Sequence, residues 1–322
     1  MLSWTVLLFV AAAARASSPA ADLERLDEAA RWIYSVPAGG TEYRYTMTAK
    51  IRLLLFWIGR DDVGGGYIRR GNASDLESIE LLFGSDPGRA PRRINRWGAA
   101  TEIRRQGSSP ASALFAFMKA SKGDSVSEME AELKSEKTGG RHLFEAIVSR
   151  VEPRRAISRV LRFHSNVDFE SKQFGDARTM VMDQLSTPPT RIKHWDDPSI
   201  ASCHEAVGFL FAVSSLLDAA RDGKRAPQRA CYVYNARPYR VTLASTETVD
   251  QSSVRFKLHG QQAPERKSYR NLLRAGFDVE NLENHRHTTF EIVVGTEGAL
   301  RGVPVQITHQ PNWWFKVVLN LL

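Results

Sequence analysis

The sequence is dominated by a long series of short segments in which apolar and polar residues alternate. In Tyr43–Ile51, every second residue is apolar and the residues between them are polar. This period of two is typical of a strand that buries one face and exposes the other. Further strands are predicted at Tyr67–Gly71, Ser78–Phe83, Ala100–Arg105, Ala113–Met118, Leu143–Arg150, Ile157–His164, Cys231–Tyr234, Tyr239–Ala244, Val254–His259, Thr288–Val294, Val303–Thr308 and Trp313–Leu321. Strands joined mostly by short turns indicate a large antiparallel sheet.

Helices are predicted at Asp22–Tyr34, Ser125–Lys137, Phe169–Leu185 and Cys203–Arg221. The last of these is apolar nearly all round, so we expect it to be buried. A sheet with so many strands has to curl or be covered. We therefore predict an α+β fold that is mainly antiparallel β. It would be a large curved sheet or half-barrel, with about three to four helices plugging or flanking its concave side.

Two apolar or glycine-rich segments carry further structural predictions. Leu53–Ile58 is apolar on both faces, which predicts a central strand covered on both sides. Asp61–Gly66 ends in three consecutive glycines, which predicts a turn.

Residues 1–16 are predicted to be a cleavable signal peptide. Their apolar stretch is much shorter than the roughly 20 residues of a membrane span, and Ala14-Arg15-Ala16 fits the small-x-small rule for cleavage before Ser17. An uncleaved N-terminal helix is the alternative. We expect residues 17–322 to form a single β-rich exported domain, periplasmic or extracellular, with no transmembrane segment. If two lobes exist, the break would lie near residues 166–199.

The formal net charge is +8, and two clusters of arginines contribute much of it. One holds Arg89, Arg92, Arg93, Arg96, Arg104 and Arg105, and the other Arg150, Arg154, Arg155, Arg159 and Arg162. Two interpretations stay open. The arginines bind an anionic membrane surface or an acidic polysaccharide, or they simply solvate the outer faces of strands. Nucleic acid is not an expected partner of an exported protein.

Sequence motifs for nucleotide binding and hydrolysis are missing. Gly64–Gly66 lacks the glycine spacing of a dinucleotide fingerprint, and no Gly-x-Ser-x-Gly occurs. No cofactor is predicted. The two cysteines, Cys203 and Cys231, are compatible with a disulfide in an oxidising compartment or with two buried thiols.

A candidate metal site consists of His285, His287 and Glu291, spaced H-x-H-x3-E, with His309 further along the chain. The pattern is similar to the metal motifs of cupins, and two imidazoles with a carboxylate suit a divalent transition metal. The strand pattern argues against His309 as a fourth ligand. His285, His287 and Glu291 lie on the polar face of their strand, whereas His309 lies on an apolar face.

The candidate ligand-binding residues are Trp57, Arg92, Arg93, Trp313 and Trp314. Aromatic side chains of this kind line apolar pockets, although core packing explains them equally well. The segments Tyr43–Ile51, Leu53–Gly65, Gly84–Asn95, Gly295–Pro304 and Gln310–Phe315 resemble a group of exported bacterial proteins with a curved, lipocalin-like antiparallel sheet. This resemblance implies export and the curved sheet, and it brings no activity or functional residues.

Three hypotheses about function follow. The first is a binding module for an apolar or amphiphilic ligand such as a lipid. The second is an envelope enzyme, hydrolytic or metal-dependent, that uses His285, His287 and Glu291. The third is a structural partner in the cell envelope. The first is favoured over catalysis because no group of residues supplies a nucleophile, a base and an oxyanion donor together.

Overall fold

The structure is a computed structural model. It describes residues 19–35, 40–53, 56–73, 75–105, 111–119, 141–152, 155–185, 191–195, 207–223, 229–312 and 315–322. The helices are α1 (Pro19–Ser35), α2 (Phe174–Leu185) and α3 (Phe209–Arg221). The strands are β1 (Thr41–Leu53), β2 (Phe56–Ala73), β3 (Leu76–Ser85), β4 (Trp97–Arg105), β5 (Ala111–Lys119), β6 (His142–Glu152), β7 (Arg155–Ser165), β8 (Arg191–Trp195), β9 (Arg229–Tyr234), β10 (Arg237–Phe256), β11 (Glu265–Asn281), β12 (His287–Gly295), β13 (Pro304–Asn312) and β14 (Phe315–Leu321).

All of these strands belong to one sheet of 14 antiparallel strands, in the order β8-β7-β6-β5-β4-β3-β2-β1-β14-β13-β12-β11-β10-β9. The first and last strands are neighbours in its middle, where Tyr45 of β1 lies opposite both Leu321 of β14 and Gly66 of β2. The chain therefore builds one half of the sheet outward from β1, and the other half inward from β9 to β14.

The sheet curls so strongly that strands far apart in its hydrogen-bonding order meet across its interior. Tyr234 of β9 packs in a cluster with Leu114 of β5 and Ile147 of β6. Val233 of the same strand packs with Val151 of β6. The result is a nearly closed, barrel-like sheet, which confirms the prediction of a mainly antiparallel half-barrel.

One helix fills the concave side and two lie on the convex side. The apolar side chains of α3 form a single core with residues of β1–β3 and β9–β14, so α3 plugs the interior. α1 and α2 instead pack on the outer face of β3–β7 over a cluster of aromatic rings. In this cluster, the ring centroids of Trp97 and Phe117 lie 5.2 Å apart, and those of Phe117 and Phe144 lie 5.5 Å apart.

Glycines allow a close approach of the strands where β1, β2 and β3 meet. Gly65 of β2 lies opposite Gly84 of β3, and β1 carries a register shift between Met47 and Ala49 at the same level. A Cβ atom on Gly66 would collide with the backbone oxygen of Leu82. Only glycine permits so close an approach between strands. The turn predicted at Asp61–Gly66 was therefore wrong, because these residues lie within the continuous strand β2.

The prediction of a covered central strand at Leu53–Ile58 was also wrong. Leu53 ends β1 and Phe56 begins β2, and the two residues face each other across a hairpin. The side chains of Phe56 and Ile58 are 74% and 58% exposed. The predicted helix Ser125–Lys137 and the predicted signal peptide at residues 1–16 lie outside the described residues. The predicted helix Cys203–Arg221 is confirmed from Phe209 onward.

Candidate functional site

The half-barrel contains a pocket of about 520 Å³ between α3 and the concave face of the sheet, and this pocket is partly open to solvent. We call this partly open pocket the internal cavity. Its lining is mostly aliphatic and aromatic and comes from both halves of the sheet, including Ile68 and Leu81 on one side and Phe290 and Ile292 on the other. This volume lies within the usual range for sites that hold small apolar molecules.

Three tyrosines form the aromatic wall of the cavity where β9 and β10 meet. The rings of Tyr232 and Tyr239 are stacked with centroids 5.0 Å apart, and Phe209 of α3 packs edge-on against Tyr232. Burial raises the pKa of Tyr232 and that of Tyr234 above the ordinary value for a phenol. All of these hydroxyls are therefore neutral at physiological pH and serve as hydrogen-bonding groups.

Arg70 of β2 is the cationic side chain in the described lining of the cavity. Its Nη2 atom donates a hydrogen bond to Oγ of Ser214 in α3 at 3.2 Å. Within the described part of the chain, no carboxylate forms an ion pair with Arg70. A guanidinium in this position can receive an anionic group of a bound molecule, because it presents several donors in one plane.

Glu102 of β4 also reaches the cavity lining and caps the N-terminus of α3. Its Oε2 atom accepts backbone N–H groups of Leu210 at 2.9 Å and Phe211 at 3.2 Å. Gly208 supplies no side-chain cap, and a Cβ atom there would collide with the Glu102 carboxylate. Burial raises the pKa of Glu102 from 4.5 to about 7, although the backbone N–H groups of α3 favour the charged form.

A second hollow of about 1000 Å³ lies on the convex side, between β1–β3 and the start of α2. Its charged side chains pair with one another. Arg69 bridges Glu42 at 2.5 Å and Glu80 at 3.3 Å, and Tyr67 donates to Glu80 at 2.6 Å. Arg89 likewise pairs with Asp62 and Asp86, at 2.5 and 2.8 Å. A ligand would have to replace these pairs, so the hollow is a weaker candidate than the internal cavity.

The ligand-binding residues predicted from sequence do not line the internal cavity as far as the structure describes them. Trp57 lies at the exposed end of the β1–β2 hairpin, with Nζ of Lys316 5.1 Å from its ring centroid. Arg93 is exposed in a short 3-10 turn, and the side chain of Arg92 lies outside the described residues. Trp313 and Trp314 also lie outside them.

The structure does not bring the candidate metal ligands together. Nδ1 of His285 lies 2.8 Å from Oε1 of Glu280, and Nδ1 of His287 lies 2.8 Å from Oδ2 of Asp278. Glu291 instead faces Nε of Arg274 at 3.6 Å. His309 lies opposite Phe290 and lines the cavity from the other face of the strand, as the alternation pattern predicted. Among the residues that the structure describes, no group of three could hold a metal ion.

Most described arginines of the two clusters form ion pairs within the molecule. Arg105 lies 3.1 Å from Asp75, and its guanidinium stacks over the ring of Trp32. Arg150 stacks over the same ring from 3.9 Å, and Arg155 pairs with the buried Asp22 of α1 at 2.5 Å. These contacts join α1 to the sheet, a role that neither interpretation of the arginine clusters included. Arg154 lies outside the described residues.

Cys231 of β9 is disulfide-bonded. The chain has one other cysteine, Cys203, which lies outside the described residues.

The fold and the cavity together define a β-rich half-barrel whose interior holds a helix and an apolar cavity. No family model, no curated protein and no solved structure matches the chain. None of the described helices combines the length and the apolar character that crossing a bilayer requires.

Sequence reasoning missed Arg70, Glu102 and Gly208. A sign of the first two was present in the strand pattern. Arg70 lies two residues after Ile68, and Glu102 two residues after Ala100, so each charged side chain shares a strand face with an apolar one. A charged residue on a buried face is uncommon and marks a position with a specific partner. The partner of Glu102 comes from a helix about 108 residues later in the chain, which a local pattern cannot indicate.

Proposed function

We propose that this protein binds an apolar or amphiphilic ligand, such as a lipid, inside the half-barrel. The observation that carries the proposal is the apolar cavity of about 520 Å³ that remains beside α3 in the interior. A pocket of this kind leaves apolar side chains in contact with water, and an apolar ligand of matching size would cover them.

The headgroup of the ligand is proposed to be acidic. Arg70 faces an otherwise mostly apolar space and bonds only to a serine hydroxyl within the described residues. A carboxylate or phosphate on the ligand would complete its hydrogen bonding, and the aliphatic and aromatic walls would surround the ligand's apolar part. A long-chain fatty acid is the simplest molecule with both properties.

A displacement assay with a fluorescent fatty acid tests this proposal. Ala100→Leu should reduce binding by roughly tenfold because the added side chain occupies cavity space. Ala73→Leu, at the end of β2 outside the cavity lining, is the matched control and should bind as the wild type does. Thermal unfolding of both variants verifies that each remains folded.

The role of Arg70 is tested in the same assay. Arg70→Gln should weaken binding of the fatty acid by roughly tenfold and leave binding of the matching fatty alcohol unchanged. Arg44→Gln removes an exposed charge on the neighbouring strand, outside the cavity lining, and should change neither affinity. Equal affinities for acid and alcohol in the wild type would refute the acidic headgroup. Failure of both ligands to bind would refute the carrier function.

The protein is further proposed to be exported to the periplasm or the cell exterior. Support comes from the signal-like residues 1–16 and from the disulfide bond of Cys231, which suits an oxidising compartment. N-terminal sequencing of the protein from its own host should give Ser17 as the first residue. A start at Met1 in a cytoplasmic fraction would contradict export.

A further inference from the structure

An exposed apolar surface lies where two hairpins of the sheet end side by side. We call it the hairpin tip and define it by the described residues Ile51, Phe56, Trp57, Ile58, Phe315 and Lys316. Ile51 of β1 lies opposite Ile58 of β2 on one side and Phe315 of β14 on the other. The exposed fractions are 46% for Ile51, 74% for Phe56 and 58% for Ile58. Large exposed apolar side chains that are contiguous mark interaction sites.

The hairpin tip projects beyond the rest of the sheet. β2 pairs with β3 only from Gly64 onward, so residues 56–63 of β2 have β1 as their neighbour in the described sheet. Leu54 and Leu55 connect β1 to β2 in the sequence, and Trp313 and Trp314 connect β13 to β14. Both pairs lie outside the described residues.

The two faces of the hairpin tip differ in chemistry. Ile51, Ile58 and Phe315 share the face that continues from Val317 and Leu319, which pack in the core of the concave side. Alternation along the strands places Trp57, Arg52, Lys50 and Lys316 on the opposite face. Residues 48–61 and 315–318 carry four cationic side chains, at Lys50, Arg52, Arg60 and Lys316, against the single acidic side chain of Asp61.

We propose that the hairpin tip docks the protein on the surface of a bilayer that contains anionic lipids. Apolar side chains at the very end, a tryptophan, and cations just behind them match the depth profile of a bilayer. The profile runs from acyl chains through the interface, where tryptophan is favoured, to anionic headgroups. The cation–π contact of Lys316 with Trp57 holds a cation at the level of the indole ring.

This inference is independent of the cavity, since none of the six residues of the hairpin tip lines it. Flotation of the purified protein with vesicles is the test. We expect binding to vesicles of phosphatidylcholine mixed with phosphatidylglycerol, and binding at least roughly tenfold weaker to phosphatidylcholine alone. Phe56→Ser combined with Ile58→Ser should weaken binding to the anionic vesicles by roughly tenfold or more.

Two further variants complete the experiment. Lys50→Gln combined with Lys316→Gln should remove most of the preference for phosphatidylglycerol, because each cation near an anionic surface adds to the attraction. Val167→Ser removes an apolar side chain about as exposed as Ile58 from a loop outside the hairpin tip. This control variant should bind the vesicles as the wild type does. Wild-type protein that stays unbound from anionic vesicles would overturn the proposal. So would a tip variant that abolishes self-association in solution and leaves flotation unchanged, since the occupant would then be a second copy of this chain.

Discussion

Glu102 links the sheet to the helix inside it through a single carboxylate. β4 places this side chain on the concave face, where it accepts hydrogen bonds from the first backbone N–H groups of α3. The helix has no side-chain cap of its own, so Glu102 supplies what a serine or aspartate usually supplies within the same segment. The position of α3, and with it one wall of the cavity, therefore depends on this residue.

The raised pKa of Glu102 predicts that the protein loses stability as the pH rises from about 5 to 8. The folded state holds the proton of Glu102 up to a pKa of about 7, whereas the unfolded state releases it near 4.5. The folded state is therefore favoured at low pH, and a shift of this size corresponds to about 3 kcal/mol at most. Urea unfolding at pH 5 and pH 8 measures the change.

The variant Glu102→Gln isolates this contribution. Glutamine keeps an acceptor for the N–H of Leu210 and cannot titrate, so its free energy of unfolding should change less between pH 5 and pH 8 than that of the wild type. Identical pH dependence in wild type and variant would show that Glu102 has the same pKa in the folded and unfolded states, which would contradict the raised pKa.

Gly66 is a second single residue on which the fold depends. Gly66→Ala should lower the free energy of unfolding by about 2 kcal/mol or more, because the new Cβ collides with the backbone oxygen of Leu82 and neither strand can give way. Gly175→Ala in α2 is the matched control, since a Cβ there meets nothing within 4 Å. The control should be neutral or slightly stabilising. Chemical unfolding measures the stability of both variants. An unchanged free energy of unfolding for Gly66→Ala would contradict the claim that only glycine fits between these strands.

At the scale of elements, the spacing of apolar residues along the sequence predicted most strands and the three described helices. β1, β6 and β7 contain the segments that the sequence pattern predicted as strands, although β6 is buried at nearly every position and not on one face alone. α3 was predictable because it is apolar all round, as a helix inside a barrel has to be. The pattern failed at Phe56–Ile58 and at Gly64–Gly66 for a physical reason. An apolar run predicts burial only if another element covers it, and a glycine run is equally compatible with a turn and with a close approach of strands.

The attachment of α1 to the convex face depends on a charge pair that the sequence did not indicate. Asp22 is 1% exposed and pairs with Arg155 of β7 at 2.5 Å. Asp22→Asn should destabilise the protein by about 3 kcal/mol, because a neutral amide replaces the carboxylate that is buried against the guanidinium of Arg155. Glu24→Gln on the exposed side of α1 is the control and should change stability by less than about 0.5 kcal/mol. Equal, small effects of both substitutions in thermal unfolding would show that apolar packing alone holds α1.

The residue pattern of the sequence did not predict most of the residues that line the cavity. The predicted ligand set was chosen by residue type, and its aromatic members stand at the hairpin tip or outside the described residues. The residues that do surround the cavity come from β2–β5, β9–β13 and α3, and they meet only because the sheet curls. Close approaches such as that of Gly66 to Leu82 arise between strands and leave little trace in a local pattern.

At the scale of the whole molecule, different parts of the one sheet have different roles. The concave side holds α3 and the apolar cavity, α1 and α2 pack over β3–β7 on the convex side, and the projecting hairpins form an exposed apolar end. In the account proposed here, the cavity carries the ligand and the hairpin tip meets the membrane. An apolar face runs from the core of the concave side to the hairpin tip, which places the two proposed functions on one continuous surface.

Native mass spectrometry of the protein, purified gently from the envelope of its own host, tests the central claim most directly. The account predicts an adduct of lipid mass at one per chain, which Ala100→Leu should deplete and Ala73→Leu should retain. The bare mass of the chain in every preparation, under conditions that preserve bound lipids in a known lipid carrier, would contradict the claim that the cavity binds a ligand.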